Sequence, residues 1–229
     1  MSFIATRLKT TKGAGVDRLK AIIYGPAGVG KTYLASTTPD PEGTLIISAE
    51  AGLLTLAGFD INSVEVTNLE QLNAVVGDLA SGAFPCSWLI VDSLSEICEV
   101  CLAHEMEVAR DPRKAYGELA KRMTTLVRCF RDLPMHVIMT AKLERDTSGA
   151  ETFMAPGLPG KKLTSDVPHY FDFILPLRTF QDDEGNVRRA LQTQPADGYV
   201  AKSRVPFSEV YIQPALSYLH QAIIKDTNA

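Results

Sequence analysis

The sequence has no surplus of positive charge: 23 basic residues stand against 27 acidic ones in 229, a formal net charge of −4. A protein that coats nucleic acid by bulk charge is thereby excluded, and any such contact must come from a local basic patch. No run approaches the roughly 18 apolar residues of a membrane span. The opening stretch MSFIATRLKTTKGAG lacks the apolar segment of a signal peptide. A soluble, cytoplasmic protein with no membrane partner is the expectation. Cysteine is scarce as well, with 4 in the chain, too few for a disulfide framework at this length. Cys98 and Cys101 share one face of an expected helix with Leu94 and Ile97, the spacing of a buried stripe. Cys86, Cys129 and the scattered histidines supply no second pair for a zinc site.

What is present is the phrase YGPAGVGKT at residues 24–32. It fits the phosphate-gripping pattern G-x-x-x-x-G-K-[ST] at every position. Gly25, Gly28 and Gly30 permit backbone angles and close approaches that a side chain forbids. Successive N–H groups of Gly25, Pro26 (which has none), Ala27, Gly28, Val29, Gly30, Lys31, Thr32 and Tyr33 then frame a nucleoside triphosphate. Lys31 brings a point charge to the phosphates, and Thr32 a hydroxyl to Mg²⁺, so ATP with Mg²⁺ is the expected cofactor pair.

Around that loop the chain alternates. Residues 19–24, 44–48, 88–91 and 135–141 are short apolar runs that read as buried strands. Residues 68–79 carry a helical period, and a long helical region follows 92 in two pieces divided around ARDPRKA. A helix is expected to begin at Gly30. Residues 142–166 have glycines, prolines and no sustained period, which reads as a long, mobile loop. From 171 the pattern turns to β, with FDFILPLRTF and VRRALQTQ as a hairpin, and a helix closes the chain from 214. The expectation is α/β: one domain over 1–229 with a flexible segment at 1–18, a mostly parallel twisted sheet covered by helices on both faces, and a C-terminal β-hairpin region.

Three further positions bear on chemistry. Asp92 ends a strand where a carboxylate faces the phosphate loop and can hold Mg²⁺ through water; it can equally cap the next helix, as can Ser93. Glu50 follows the second strand beside the expected γ-phosphate and can orient the attacking water, or it is a surface carboxylate in a turn. Thr140 and Lys142 end the fourth strand and can sense the γ-phosphate.

These words in this order resemble the RecA-like recombinase ATPases, and within them the compact phage-encoded ATPases linked to single-strand annealing (the Sak-type subgroup). GPAGVGKT is followed by a strand leading into Ser48-Ala49-Glu50, similar to the strand that delivers the family's catalytic glutamate. WLIVDS resembles its second nucleotide motif, and VAKSRVPF resembles its interface segment. YGELAKRMTTLVRCFRDLPMHVIMTA, PGLPGKKL and LQTQP look like the phage subgroup. The likeness runs from about residue 19 to 225 and implies a RecA-like P-loop NTPase core. It implies that Glu50 is catalytic, and that Lys202 and Arg204 reach the γ-phosphate held by a neighbouring subunit of a homo-oligomer. Bacterial recombinases also carry an N-terminal helical arm and a C-terminal domain that this sequence does not match, so filament assembly by that arrangement is not expected.

A DNA surface has local candidates only. Lys142, Arg145, Lys161 and Lys162 lie in or around the segment after the fourth strand, where RecA-like proteins place a DNA-contacting loop. His169, Tyr170 and Phe171 offer stacking faces, or belong to the core. Arg188 and Arg189 lie on the hairpin; such pairs are also common on solvated faces. The resemblance implies a DNA-stimulated ATPase that binds single-stranded DNA and promotes annealing or recombination. A single-strand-binding or replication protein would be a further partner, in the cytoplasm of a bacterial host. The alternative is a nucleotide-dependent switch that binds a protein partner in replication without touching DNA.

Overall fold

The apolar runs do become strands, and a computed structural model describes residues 18–147, 152–182 and 184–227. The expected flexible segment at 1–18 lies almost wholly outside the described residues. Strands β1 (Lys20–Gly25), β2 (Thr44–Ser48) and β4 (Trp88–Asp92) are buried at every position. With β3 (Asn62–Glu65), β5 (His136–Asp146) and β7 (Phe173–Gln181) they pair in parallel, in the order β7-β1-β5-β4-β2-β3. The central strands are apolar where both of their faces are covered, whereas the edge strand β3 is polar and largely exposed. One face packs Ile22, Ile47, Leu89 and Val91 against α1 (Leu69–Ser81), α2 (Leu94–Val108) and α3 (Pro112–Asp132). The other packs Ile23, Ile46, Ile90 and Leu175 against a short helix at Thr32–Thr37 and the C-terminal α5 (Leu216–Thr227).

Local chemistry sets the helix ends. Asn68, Ser93 and Asp111 each accept a backbone N–H at the starts of α1, α2 and α3, the usual satisfaction of an orphan donor. Pro112 follows its cap directly, and its fixed φ suits a first turn. α3 is the long amphipathic helix the periodicity predicts, with Leu119, Met123, Leu126, Val127 and Phe130 buried. Cys98 and Cys101 are buried on α2 and free, as their spacing indicates.

The expected hairpin is β7 with β8 (Val187–Gln192), antiparallel, and β8 continues to β10 (Tyr211–Ile212). β9 (Lys202–Ser203) pairs with the start of β7.

Two expectations are corrected. The helix after the phosphate loop does not begin at Gly30 but at Thr32, and it is a short 3-10 turn ending at Thr37. Thr38 is extended because Pro39 follows it, which disfavours continuing the helix. Residues 142–166 are not one irregular loop. β5 runs on to Asp146 and pairs antiparallel with β6 (Phe153–Gly157), after which α4 (Lys161–Asp166) forms. The apolar period vanishes because this ribbon projects past the sheet: β5 is buried only from His136 to Ala141.

Candidate functional site

Parallel strands deliver their C-terminal ends to one edge of a sheet, and ligands bind there. Ser48 is in register with Asp92 on β4, Val91 with Met139 on β5, and Lys142 with Gly25 at the head of the phosphate loop. Side chains in register share a face, so Ser48, Asp92 and Thr140 form a row across three strands, beside the loop.

Asp92 is buried and held at both oxygens. Thr32 Oγ1 donates to its Oδ2 at 2.6 Å, and Thr140 Oγ1 donates to its Oδ1. The open question of helix capping is resolved by the hydroxyl next door. Ser93 Oγ accepts the Glu96 N–H at 3.2 Å and starts α2, leaving the Asp92 carboxylate for the loop. The same hydroxyl donates to Glu50 Oε1 at 2.5 Å. Glu50 is exposed, two residues past β2, and Ala51 at φ 50 turns the chain away immediately after it. Thr140, expected as a γ-phosphate sensor, lies within the row, almost fully buried and bonded to Asp92.

Gly28 and Gly30 have φ of 73 and 103, which glycine alone adopts without cost. Gly25 is needed for another reason: a Cβ there would lie 2.6 Å from the Leu177 carbonyl oxygen of β7. Lys31 Nζ donates to the Gly25 and Pro26 carbonyls, each at 3.0 Å. An ammonium has three donors, so one remains for a phosphate oxygen. Burial lowers the Lys31 pKa, opposed by the nearby Glu50 and Asp92. A cavity of ≈ 500 Å³ spans Lys31, Thr32, Glu50, Asp92 and Lys142. Lys142 Nζ bonds Glu96 at 2.8 Å, which raises its pKa and keeps it charged at the mouth. Its backbone N–H donates to Ser95 Oγ at 2.9 Å.

A second cavity of ≈ 510 Å³ adjoins the first across Gly28, Gly30, Tyr33 and Thr55. Tyr33 stands edge-on to Phe59 with ring centroids 6.0 Å apart. Arg188 and Arg189 border this cavity, so the pair named as DNA candidates sits beside the phosphate loop. Arg188 is paired with Asp182 at 2.7 Å.

The other basic candidates do gather. Arg145, Lys161 and Lys162 line one cleft of ≈ 910 Å³ between the β5–β6 ribbon and α4, together with Glu144 and Asp146. The aromatic candidates do not. Phe171 is fully buried in the core, and Tyr170 is half-buried, its ring 4.9 Å from the Arg128 guanidinium. His169 is exposed.

Lys202 and Arg204 are not brought to the phosphate loop of their own chain. Lys202 is in register with Ile174 near the start of β7, level with Ile22 of β1 and three residues short of Gly25. Its Nζ donates to the Phe171 carbonyl at 2.6 Å, and Arg204 Nε meets Asp172 Oδ1 at 3.2 Å.

Among the described residues no group of three or more His, Cys, Asp or Glu is placed to hold a metal. Thr32 and Asp92 fit Mg²⁺, which keeps several waters and takes few protein ligands. Ser48 supports that fit. Its buried Oγ has no hydrogen-bond partner among the described residues and stands beside Asp92, where a metal-bound water would satisfy it. Sequence reasoning gave Ser48 and Glu96 no role of their own, and named Ser93 only as a helix cap, which it is. Their only signal was adjacency: Ser48 two residues before Glu50, Ser93 directly after Asp92, Glu96 one turn into the next helix.

A comparison with curated proteins returns no match. Residues 17–205 match a family model described as an AAA domain, a span that runs from just before β1 to just beyond β9 and takes in the phosphate loop, Glu50, Asp92 and Thr140. By that match over most of its length, the chain belongs to the AAA domain family of P-loop ATPases.

Proposed function

We propose that the protein binds and hydrolyses ATP, binds single-stranded DNA and promotes annealing or recombination, as the compact phage-encoded RecA-like ATPases do. The observation that carries the hydrolytic part is the Ser93–Glu50 contact of 2.5 Å, which fixes an exposed carboxylate at the mouth of the phosphate cavity. Glu50 orients the attacking water and takes its proton. Lys31 offers its remaining N–H to the phosphates, and Lys142 adds a second charge from the far wall. Thr32 and Asp92 would hold Mg²⁺, which neutralises phosphate charge when bound.

The DNA part rests on the cleft that brings Arg145 of the β5–β6 ribbon together with Lys161 and Lys162 of α4. Lys202 and Arg204 bond Phe171 and Asp172 and do not line their own phosphate cavity. In an oligomer with nucleotide at the subunit interface they act on the neighbour's γ-phosphate, so turnover depends on assembly. A single-strand-binding or replication protein is the further partner of such an assembly, in the cytoplasm of a bacterial host.

A second reading, a nucleotide switch for a protein partner, is favoured by the acids Glu144 and Asp146 in the same cleft. ATP turnover at rising protein concentration, with and without a single-stranded oligonucleotide, separates the two. Stimulation by DNA that weakens steeply with added salt supports the first reading. No stimulation and no DNA binding at low salt leaves the second.

A further inference from the structure

We propose that Arg189 is a nucleotide-binding residue acting within its own chain, contacting the α- and β-phosphates from the side of the loop opposite Glu50 and Asp92. The inference rests on the ATP-binding reading above and deepens it.

β8 places the side chain. In a strand residues two apart share a face, and Leu191 on this face is buried in the core that holds Val29 and Leu34 of the loop and its helix. Arg189 therefore emerges over the phosphate loop. Its Cδ and Nε both lie 3.9 Å from where a Cβ on Gly30 would stand. The register is secured from below by β7, whose Leu177 pairs with Leu191 and whose carbonyl abuts Gly25. Hairpin and loop are thus one packed unit.

Charge pairing singles out Arg189 from its neighbour. Arg188 is committed to Asp182, whereas Arg189 makes no hydrogen bond or ion pair with a described residue. An unpaired guanidinium beside a loop of inward N–H groups is matched to a phosphate oxygen, with fork geometry that lysine lacks. Position sets which phosphate. The cavity with Thr32, Asp92 and Glu50 takes the γ end, and the adjoining one, with Arg189, takes the chain toward sugar and base.

The test measures ATP, ADP and AMP affinity by calorimetry for the full chain and for Arg189→Ala and Arg189→Lys, with thermal unfolding as a check on the hairpin. Arg189→Ala should weaken ATP and ADP by about tenfold or more, and by similar factors, the loss expected for one charge-assisted bond. Arg189→Lys should recover part of that loss, at an unchanged unfolding temperature. Unchanged ATP and ADP affinity in Arg189→Ala overturns the proposal, as does a loss confined to ATP, which would place the contact at the γ-phosphate. A variant that binds nucleotide normally but loses single-stranded DNA also overturns it and returns Arg189 to a DNA surface. Failure of the unaltered chain to bind ATP would instead sink the ATP-binding reading itself.

Discussion

The hydroxyl of Ser93 sits 2.5 Å from Glu50 Oε1, so the residue that starts α2 also aims the carboxylate at the phosphate cavity. Binding and chemistry are then separable by mutation. Glu50→Gln should keep ATP affinity and lower turnover by roughly a hundredfold or more, the scale of a lost general base. Ser93→Ala should lower kcat less, by roughly tenfold, with KM little changed. Single-turnover hydrolysis checks both, and a Glu50→Gln protein that turns over normally would remove the glutamate from the mechanism.

Lys31→Ala should abolish measurable nucleotide binding. Asp92→Asn should retain binding but demand a higher Mg²⁺ concentration for half-maximal turnover, because the charge beside Thr32 is lost. Titrating Mg²⁺ at saturating ATP tests this; an unchanged Mg²⁺ midpoint would sink the metal assignment.

Lys202→Ala and Arg204→Ala should each slow turnover several-fold while leaving ATP affinity intact. The deficit should be partly restored by mixing with an Asp92→Asn chain, which supplies the missing cation across an interface. Rates that are normal at every protein concentration would end the trans-acting role.

Stability should fall in mild acid. His136 stacks on Trp88 at 4.2 Å between centroids, and its Nδ1 accepts the Leu19 N–H at 3.0 Å, which requires the neutral ring. Burial, then His220, Arg18 and Lys20, lowers its pKa from 6.5 to about 4. With the folded value depressed, the unfolded chain takes up the proton first. Stability is therefore full above pH 6.5 and is lost as pH falls toward 4, by on the order of 3 kcal/mol from this group. Urea unfolding across that range measures the slope, and His136→Asn should flatten it. An equally steep slope in the variant would assign the effect elsewhere.

The central strands were legible because both of their faces are buried and they stand out as apolar runs, and the phosphate loop because its glycines and lysine are adjacent; the edge strand β3, polar and exposed, gave no such run. What stayed hidden depends on register. That Ser48 flanks Asp92, or that Arg189 overhangs Gly30, follows only from which strands pair, and no period records that. The 142–166 segment misled for a related reason: a ribbon projecting beyond the sheet buries little beyond Ala155 and Pro156, so its strands carry no sustained alternation. For Lys202 and Arg204 too, only the fold shows that they bond Phe171 and Asp172 rather than their own phosphate loop.

β5 has a consequence for linkage. Thr140 touches the carboxylate at the nucleotide edge, and Arg145, five residues on, lines the cleft, with the Lys142–Glu96 and Ser95 contacts fastening the span between them to α2. Were the cleft to take a ligand, that ligand and a nucleotide at the loop would bear on two ends of one strand. Thermodynamics makes that traffic reciprocal: whatever factor an occupant of the cleft adds to ATP affinity, ATP returns to that occupant. Hydrolysis would then act as a release step, setting how long the occupant stays.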